Sequence, residues 1–366
     1  MLLGPGVSIV DLTVGPLSIP LREPFVIASG RMDATRAALV RATLEDGRGQ
    51  RATGFGESAA LPPVTREDQP ELVQLIATAA SGLRGAVVGT TGDLDRLLTE
   101  QLPTSHVARA GVESAILDAA ARLQGVPLWR ALGGAGAPPL CTDITLSISD
   151  PERMAAAASR HARAGFTVFK VKVGRDWRAD CASLRAVAAA VPGARFRLDA
   201  NAGFGAREAL ALLDTALGDG LTIECYEQPC AADDLAGMAE VTARASVPVV
   251  ADESFRGPAD LDRLLATRAV SGVNLKLAKL GGPLAALALG RRARAEGLGL
   301  MAGAMVETRI GLLAMAHVVA ALGGVDWVDL DTAFLLADDP FTGGWRVDGP
   351  RVQLTDAPGL GVASRA

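Results

Sequence analysis

Aromatic residues are scarce in this 366-residue chain, at 4% of the total with a single tyrosine. The net charge of -5 leaves no basic face for a phosphate backbone, and few rings on which bases could stack, so nucleic acid is not an expected partner. Cysteine is sparse too. Cys141, Cys181, Cys225 and Cys230 form no CxxC pair and lie in no secretory context, which predicts a reduced, cytoplasmic protein without a disulfide framework. The first nine residues lack a basic stretch followed by a long apolar core. No run reaches the ~20 apolar residues of a membrane span, and 311–325, the nearest to one, reads as a buried helix. What the chain has is apolar bulk: 49% hydrophobic residues and a mean hydropathy of +0.27, enough for a large domain with a smaller one beside it.

The two halves are patterned differently. Residues 7–14 and 37–44 run apolar or alternate, and Glu45-Asp46-Gly47-Arg48-Gly49 supplies a turn into a third strand over 50–56. Between the first two strands, residues 20–36 form a connection too long for a compact domain, of the kind that covers a site. Helical stretches follow at 66–83, 94–101 and 107–123, so an α+β unit ends near residue 135. From about 140, eight β-like runs recur every ~25 residues between helical ones, at 140–148, 168–173, 196–198, 222–226, 247–251, 272–275, 299–302 and 327–330. That repeat predicts an α/β protein with a parallel barrel, whose chemistry sits at the C-terminal ends of its strands.

Those ends carry the polar residues. Lys170 and Lys172, two apart in Phe169-Lys170-Val171-Lys172-Val173, share one face of a buried strand. Each ammonium disfavours protonation of the other and desolvation acts in the same direction, which predicts that one is neutral near ~pH 7 and able to act as a base. Asp199, Glu227 and Asp252 end the third, fourth and fifth runs. Taken singly, each is as readily a helix cap or the partner of an arginine. Three in consecutive strands beside the lysines point instead to a hard divalent cation, Mg²⁺, held by oxygen ligands. Lys276 ends the sixth run, across the barrel from Lys172, so a substrate between them meets a base on each face. An amine removes a proton α to a carboxylate only when a metal stabilises the enediolate, and return of the proton from the opposite face inverts the carbon.

Lys170-Val171-Lys172, Leu198-Asp199-Ala200-Asn201, Tyr226-Glu227-Gln228-Pro229, Ala251-Asp252-Glu253-Ser254 and Asn274-Leu275-Lys276-Leu277, in this order and spacing, resemble the enolase superfamily and its muconate-lactonizing-enzyme subgroup. The resemblance implies a (β/α)7β barrel over 136–332 and an N-terminal α+β capping domain over 1–135, to which residues 333–366 return. It implies Lys172 and Lys276 as the two acid/bases, Lys170 assisting by its charge, Asp199, Glu227 and Asp252 as Mg²⁺ ligands, and Glu253 behind them. His106, His161 and His317 fall in helical stretches and are read as structural or surface residues.

Asp329-Leu330-Asp331, at the end of the eighth run, is similar to the DxD motif with which dipeptide epimerases of the subgroup hold a substrate's α-ammonium. The implied activity is inversion of the C-terminal residue of an L,L-dipeptide. N-succinylamino acid racemisation and o-succinylbenzoate synthesis are the alternatives within the subgroup, and a non-catalytic Mg²⁺- and peptide-binding sensor is the alternative outside it. Arg31, or Gly30 in an adjacent register, matches the position of an arginine that holds a glutamate side chain in L-Ala-D/L-Glu epimerases, which leaves both acidic and hydrophobic dipeptides as readings. Leu61-Pro62-Pro63-Val64 resembles the second specificity loop; Thr145, Glu307 and Arg309 are further candidates for the substrate's surroundings. The expected partners are a small dipeptide and a second copy of the chain, with no membrane.

Overall fold

The alternating apolar residues near the N-terminus make β1 (Ser8–Leu17), β2 (Pro20–Ile27), β3 (Gly30–Ala34), β4 (Arg36–Glu45) and β5 (Arg51–Ala60) in the computed structural model, which describes residues 4, 6–28, 30–62 and 64–365. Ser29 and Pro63, within the two loops singled out by the sequence, lie outside the described residues, as do 1–3, 5 and 366. β1, β4 and β5 form an antiparallel sheet in the order β1-β4-β5. Asp46 fastens the β4–β5 turn by accepting from the backbone N–H groups of Arg48 and Gln50, both at 2.9 Å. Residues 20–36, expected as a covering loop, are a covering hairpin: β2 and β3 pair with Phe25 opposite Met32. The reason is compositional, since Phe25, Ile27 and Met32 supply alternate apolar side chains that the hairpin buries.

The helices α1 (Gln69–Leu83), α2 (Thr91–Gln101) and α3 (His106–Leu123) complete this unit. Asp68 and Glu71 form a capping box at the start of α1. α3 lies directly on β5, and the approach is possible only because Gly54, Gly56 and Gly111 lack side chains: a Cβ on Gly56 would stand 1.9 Å from the Gly111 carbonyl oxygen, and one on Gly54 2.3 Å from Ala115 O.

Eight parallel strands in sequence order follow: β6 (Ile144–Leu146), β7 (Val168–Lys172), β8 (Arg195–Asp199), β9 (Thr222–Glu227), β10 (Val249–Ala251), β11 (Gly272–Leu275), β12 (Gly299–Ala302) and β13 (Trp327–Val328). Between them run α4 (Pro151–Arg163), α5 (Trp177–Ala190), α6 (Ala206–Gly218), α7 (Leu235–Arg244), α8 (Pro258–Thr267), α9 (Pro283–Ala295) and α10 (Arg309–Leu322). The sheet curls until its ends meet, where Asp143 N–H donates to Val328 O at 3.2 Å and Leu330 N–H to Thr142 Oγ1 at 2.9 Å.

The expected first barrel strand, 140–148, is two pieces rather than one. Leu140–Cys141 pairs antiparallel with Arg351–Leu354, and only Ile144–Leu146 joins the barrel. The break falls at Asp143, a buried carboxylate drawn into the lumen by Arg197. The last residues return to the N-terminal unit. Leu360 N–H donates to Asp118 Oδ1 at 2.7 Å, and Arg122 Nη2 to Val362 O at 2.9 Å, both on α3. One continuous apolar core runs from Ile9 of β1 to Leu313 of α10, so cap and barrel share their buried interior.

Candidate active site

β7 places Lys170 level with Arg197 of β8, and Lys172 level with Asp199; Glu227 of β9 is level with Asp199 in turn. Because side chains alternate along a strand, Lys170, Lys172, Arg197, Asp199 and Glu227 all enter the lumen while Phe169 and Val171 face the helices. Gly174 turns the chain immediately after Lys172 at φ 110°, and a Cβ there would stand 2.3 Å from Ala200 O. Gln228, at φ 35°, is held by Asp252 N–H at 2.8 Å and donates to Ser254 Oγ at 2.7 Å, which locks the ends of β9 and β10 together.

The lysines and carboxylates are interlaced. Lys172 Nζ is 2.6 Å from Asp199 Oδ2. Lys170 Nζ lies 3.0 Å from Asp199, 2.7 Å from Glu227 and 2.7 Å from Asp329. Lys276 Nζ is 2.7 Å from Asp252 Oδ2, and Lys279 pairs with the other oxygen of the same carboxylate. This arrangement reverses the expectation of a neutral lysine for Lys170. Burial alone would lower Lys170 and Lys276, but the surrounding carboxylates outweigh it and hold both well up as ammonium groups. Conversely, burial would raise Asp199 and Asp252, yet the lysines hold both below the usual carboxylate range. Glu227 goes the other way, pushed up by burial and by Asp199, and burial with Asp252 pushes Glu253 up to about 7.

Asp199, Glu227 and Asp252 offer only oxygen ligands, and Glu253 Oε2 and Asn201 Oδ1 beside them are buried with no hydrogen-bond donor, while Glu227 Oε2 meets only the Lys170 ammonium. That donor set fits a hard divalent cation. A different trio is drawn tighter: oxygens of Asp143, Asp329 and Asp331 all lie within 4.8 Å of one another. Each of the expected ligands is instead paired with a lysine, Asp199 and Glu227 with Lys170 and Asp252 with Lys276 and Lys279.

Above these groups lies a narrow cavity. Lys172, Lys276, Asp329 and Asp331 line its floor with Thr145, and Phe25, Ile27, Leu61, Val64 and Met305 line its walls. The β2–β3 hairpin is the lid. Ile148 N–H donates to Val26 O at 3.0 Å, Arg175 Nη2 to Ile27 O at 3.0 Å, and the Phe25 ring lies 5.7 Å from Lys172 Nζ. Thr145 N–H donates to Asp331 Oδ2 at 2.5 Å.

Arg31 does not line this cavity: it faces a neighbouring one, is exposed, and pairs with Asp33 at 2.8 Å. Arg309 pairs with Asp339 at 2.7 Å. Glu307 is absent from the cavity wall too, accepting from Met305 N–H at 3.0 Å, and burial with Glu57 pushes it up to about 8. None of the three histidines lines the cavity; His317 is buried beside Trp129 N–H, which donates to its Nδ1 at 3.1 Å.

Residues 153–365 match the family model described as "Enolase C-terminal domain-like", and residues 9–133 match the N-terminal domain of mandelate racemase/muconate lactonizing enzymes. The chain belongs to the enolase superfamily. Within it, the chain is similar to an L-Ala-D/L-amino acid epimerase of Populus trichocarpa, 38% identical over 94% of this chain and 82% of that one. It is similar in structure to the substrate-liganded L-Ala-D/L-Glu epimerase of Bacillus subtilis, with a TM-score of 0.92 and 32% identity over 98% and 99% of the two chains. It is also similar to a dipeptide epimerase of Enterococcus faecalis complexed with Mg and L-Leu-L-Tyr, with a TM-score of 0.90 and 31% identity over 97% and 99%.

Against this enolase-superfamily frame, sequence reasoning missed Asp143, Arg197, Asn274 and Lys279. Arg197 was legible, sitting at the same two-residue spacing from Asp199 as Lys170 from Lys172. Asn274, which donates to Glu227 Oε1 at 2.7 Å, lies inside a quoted motif. Asp143 and Lys279 had no signal in spacing, since the contacts that matter to them span 27 residues or more.

Proposed function

We propose that this chain is a Mg²⁺-dependent dipeptide epimerase that inverts the α-carbon of the C-terminal residue by two-base proton transfer. The observation that carries the reading is the buried pair Asp329 and Asp331 on the floor of a cavity whose other floor residues include Lys172 and Lys276, four strands apart in an eight-stranded sheet. A carboxylate pair there matches an α-ammonium, a group that muconate and N-succinyl substrates lack. Asp199, Glu227 and Asp252 would hold the metal, which supplies positive charge opposite the charge that develops on the substrate carboxylate. Lys172 and Lys276 approach the α-carbon from its two sides, one taking the proton while the other, as ammonium, delivers one. Lys170 adds fixed positive charge beneath them, and the lid keeps water from the exchange.

The walls select the side chain. Phe25, Ile27, Leu61, Val64 and Met305 offer apolar contact, while Arg31 and Arg309 are engaged elsewhere, so a hydrophobic C-terminal residue fits where a glutamate would meet no free cation. Proton NMR in D₂O with Mg²⁺ tests this directly. Exchange of the C-terminal α-proton is expected in L-Ala-L-Leu faster than in L-Ala-L-Glu, and not in N-succinyl-L-leucine. Exchange confined to the succinylated compound would overturn the reading.

A further inference from the structure

Resting on the dipeptide reading, we infer that Asp143 completes, with Asp329 and Asp331, a three-carboxylate pocket that holds one proton when empty and releases it to solvent when the substrate's α-ammonium binds.

The geometry comes first. Oxygens of the three residues lie within 4.8 Å of one another, in a lumen where they are 0%, 6% and 1% exposed. Positive charge nearby is divided. Arg197 Nη1 is 2.8 Å from Asp143 Oδ2, but the same guanidinium also serves Val328 O and Glu224 Oε2, each at 2.8 Å. Lys170 serves Asp329 but also Asp199 and Glu227. Two oxygens, Asp143 Oδ1 and Asp331 Oδ1, are buried with no hydrogen-bond donor. A buried carboxylate without a cation or donor takes a proton instead of remaining charged.

The charged groups facing the trio are Lys170 and Lys172 on β7, Arg197 on β8 and Lys276 just beyond β11, with Glu224 and Cys225 on β9 acting on Arg197 in turn; Thr145 N–H on β6 bonds Asp331. Burial and the Asp329 charge push Asp143 well up, and the same two causes push Asp331 up to about 6, whereas Lys170 outweighs burial and holds Asp329 down. The proton is therefore shared between Asp143 and Asp331, where the unpartnered oxygens are.

Asp331 lines the cavity and Asp143 does not, so Asp143 is a positioning residue that acts through the other two. When an α-ammonium arrives, it brings the positive charge the proton had supplied. The carboxyl O–H bond breaks, its proton passes to solvent, and the ammonium keeps all of its own, being already charged below its ordinary pKa of ~8. An N-acylated amino acid brings no cation to the trio and displaces nothing.

Calorimetry on the full-length, Mg²⁺-saturated protein tests the exchange. L-Ala-L-Leu, and in parallel L-Ala-L-Glu, are titrated near ~pH 6.5 in PIPES and in imidazole, whose protonation enthalpies differ. Release of about half to one proton per dipeptide is expected, with affinity falling up to about tenfold per pH unit on further acidification. N-succinyl-L-leucine should release none. Dipeptide binding with equal heats in the two buffers overturns the exchange and leaves the epimerase reading standing. Binding of neither dipeptide overturns both. A further Mg²⁺-binding event that blocks the dipeptide would put a metal in the trio and overturn the exchange. Asp143→Asn, which keeps an acceptor for Arg197, should abolish proton release, and Asp143→Glu should restore it; undiminished release in Asp143→Asn removes Asp143 from the pocket. Circular dichroism checks the fold of each variant, and if neither folds, the wild-type comparison of buffers decides.

Discussion

At the residue scale the lumen is a balance of charges. Lys172 and Lys276 each sit within 2.7 Å of a carboxylate expected to ligate the metal, so the groups that bind Mg²⁺ also hold the bases. Lys172→Ala and Lys276→Ala should each lower kcat by ~10²- to 10⁴-fold, as expected for loss of a positioned acid or base. Each single variant keeps one lysine, and NMR in D₂O separates their roles: wash-in from one substrate epimer is lost in one variant and from the other epimer in the other. Unchanged turnover would rule out the two-base scheme. Asp331→Asn acts on a different quantity. It should weaken dipeptide binding by at least ~30-fold, the cost of leaving a buried ammonium half paired, while calorimetric Mg²⁺ affinity stays near wild type.

At the element scale, two of the contacts that join the N-terminal unit to the barrel carry predictions. The β2–β3 hairpin places Phe25 over Lys172 and is tied down by Arg175 Nη2 on Ile27 O. Phe25→Ala removes a cavity wall and a cation–π contact together, and KM should rise by about tenfold with a smaller change in kcat, measured by steady-state epimerisation. The second contact is Glu57 of β5, a buried residue that caps α10. It accepts from Thr308 Oγ1 at 2.6 Å, Thr308 N–H at 3.0 Å and Gly311 N–H at 3.1 Å. Truncation to alanine leaves those donors buried without a partner, at a cost of ~2–4 kcal/mol, and Glu57→Gln should lose less because one oxygen remains. Chemical denaturation of both variants measures the difference.

At the scale of the whole molecule, two kinds of buried group contribute stability that is lost in acid. Burial drives His317 down to about 3, so the folded state keeps it neutral while the unfolded chain takes a proton below its ordinary 6.5. Its contribution is complete above 6.5 and disappears as pH drops toward 3. Asp199 and Asp252, held down by lysines, contribute above the ordinary carboxylate pKa of ~3.9 and lose that contribution further into acid. Between about pH 8 and 4 the raised carboxyls of Glu253, Glu307 and Asp331 oppose this, because the folded state takes protons there that the unfolded chain does not, so the His317 contribution is read as a difference: the thermal midpoint of His317→Gln relative to wild type should rise as pH falls from 6.5 toward 3. Mg²⁺ at ~100 times its dissociation constant should stabilise the fold by ~2.7 kcal/mol through mass action alone. The metal therefore has a thermal signature independent of turnover.

The sequence by itself determined the repeat of strand and helix, the face on which Lys170 and Lys172 lie, and the strand-end carboxylates, because alternation along a strand is local and is written in consecutive residues. It also marked Asp329 and Asp331 as a pair. Tertiary structure alone decided what those groups do to one another. Lys170 is charged and not neutral because Asp199, Glu227 and Asp329, at least 29 residues away, converge on it. Arg31 is spent on Asp33 outside the cavity because the hairpin's register turns it outward. Asp143 joins Asp329 and Asp331 only because the curled sheet brings its first and last strands together, a closure to which no stretch of sequence refers.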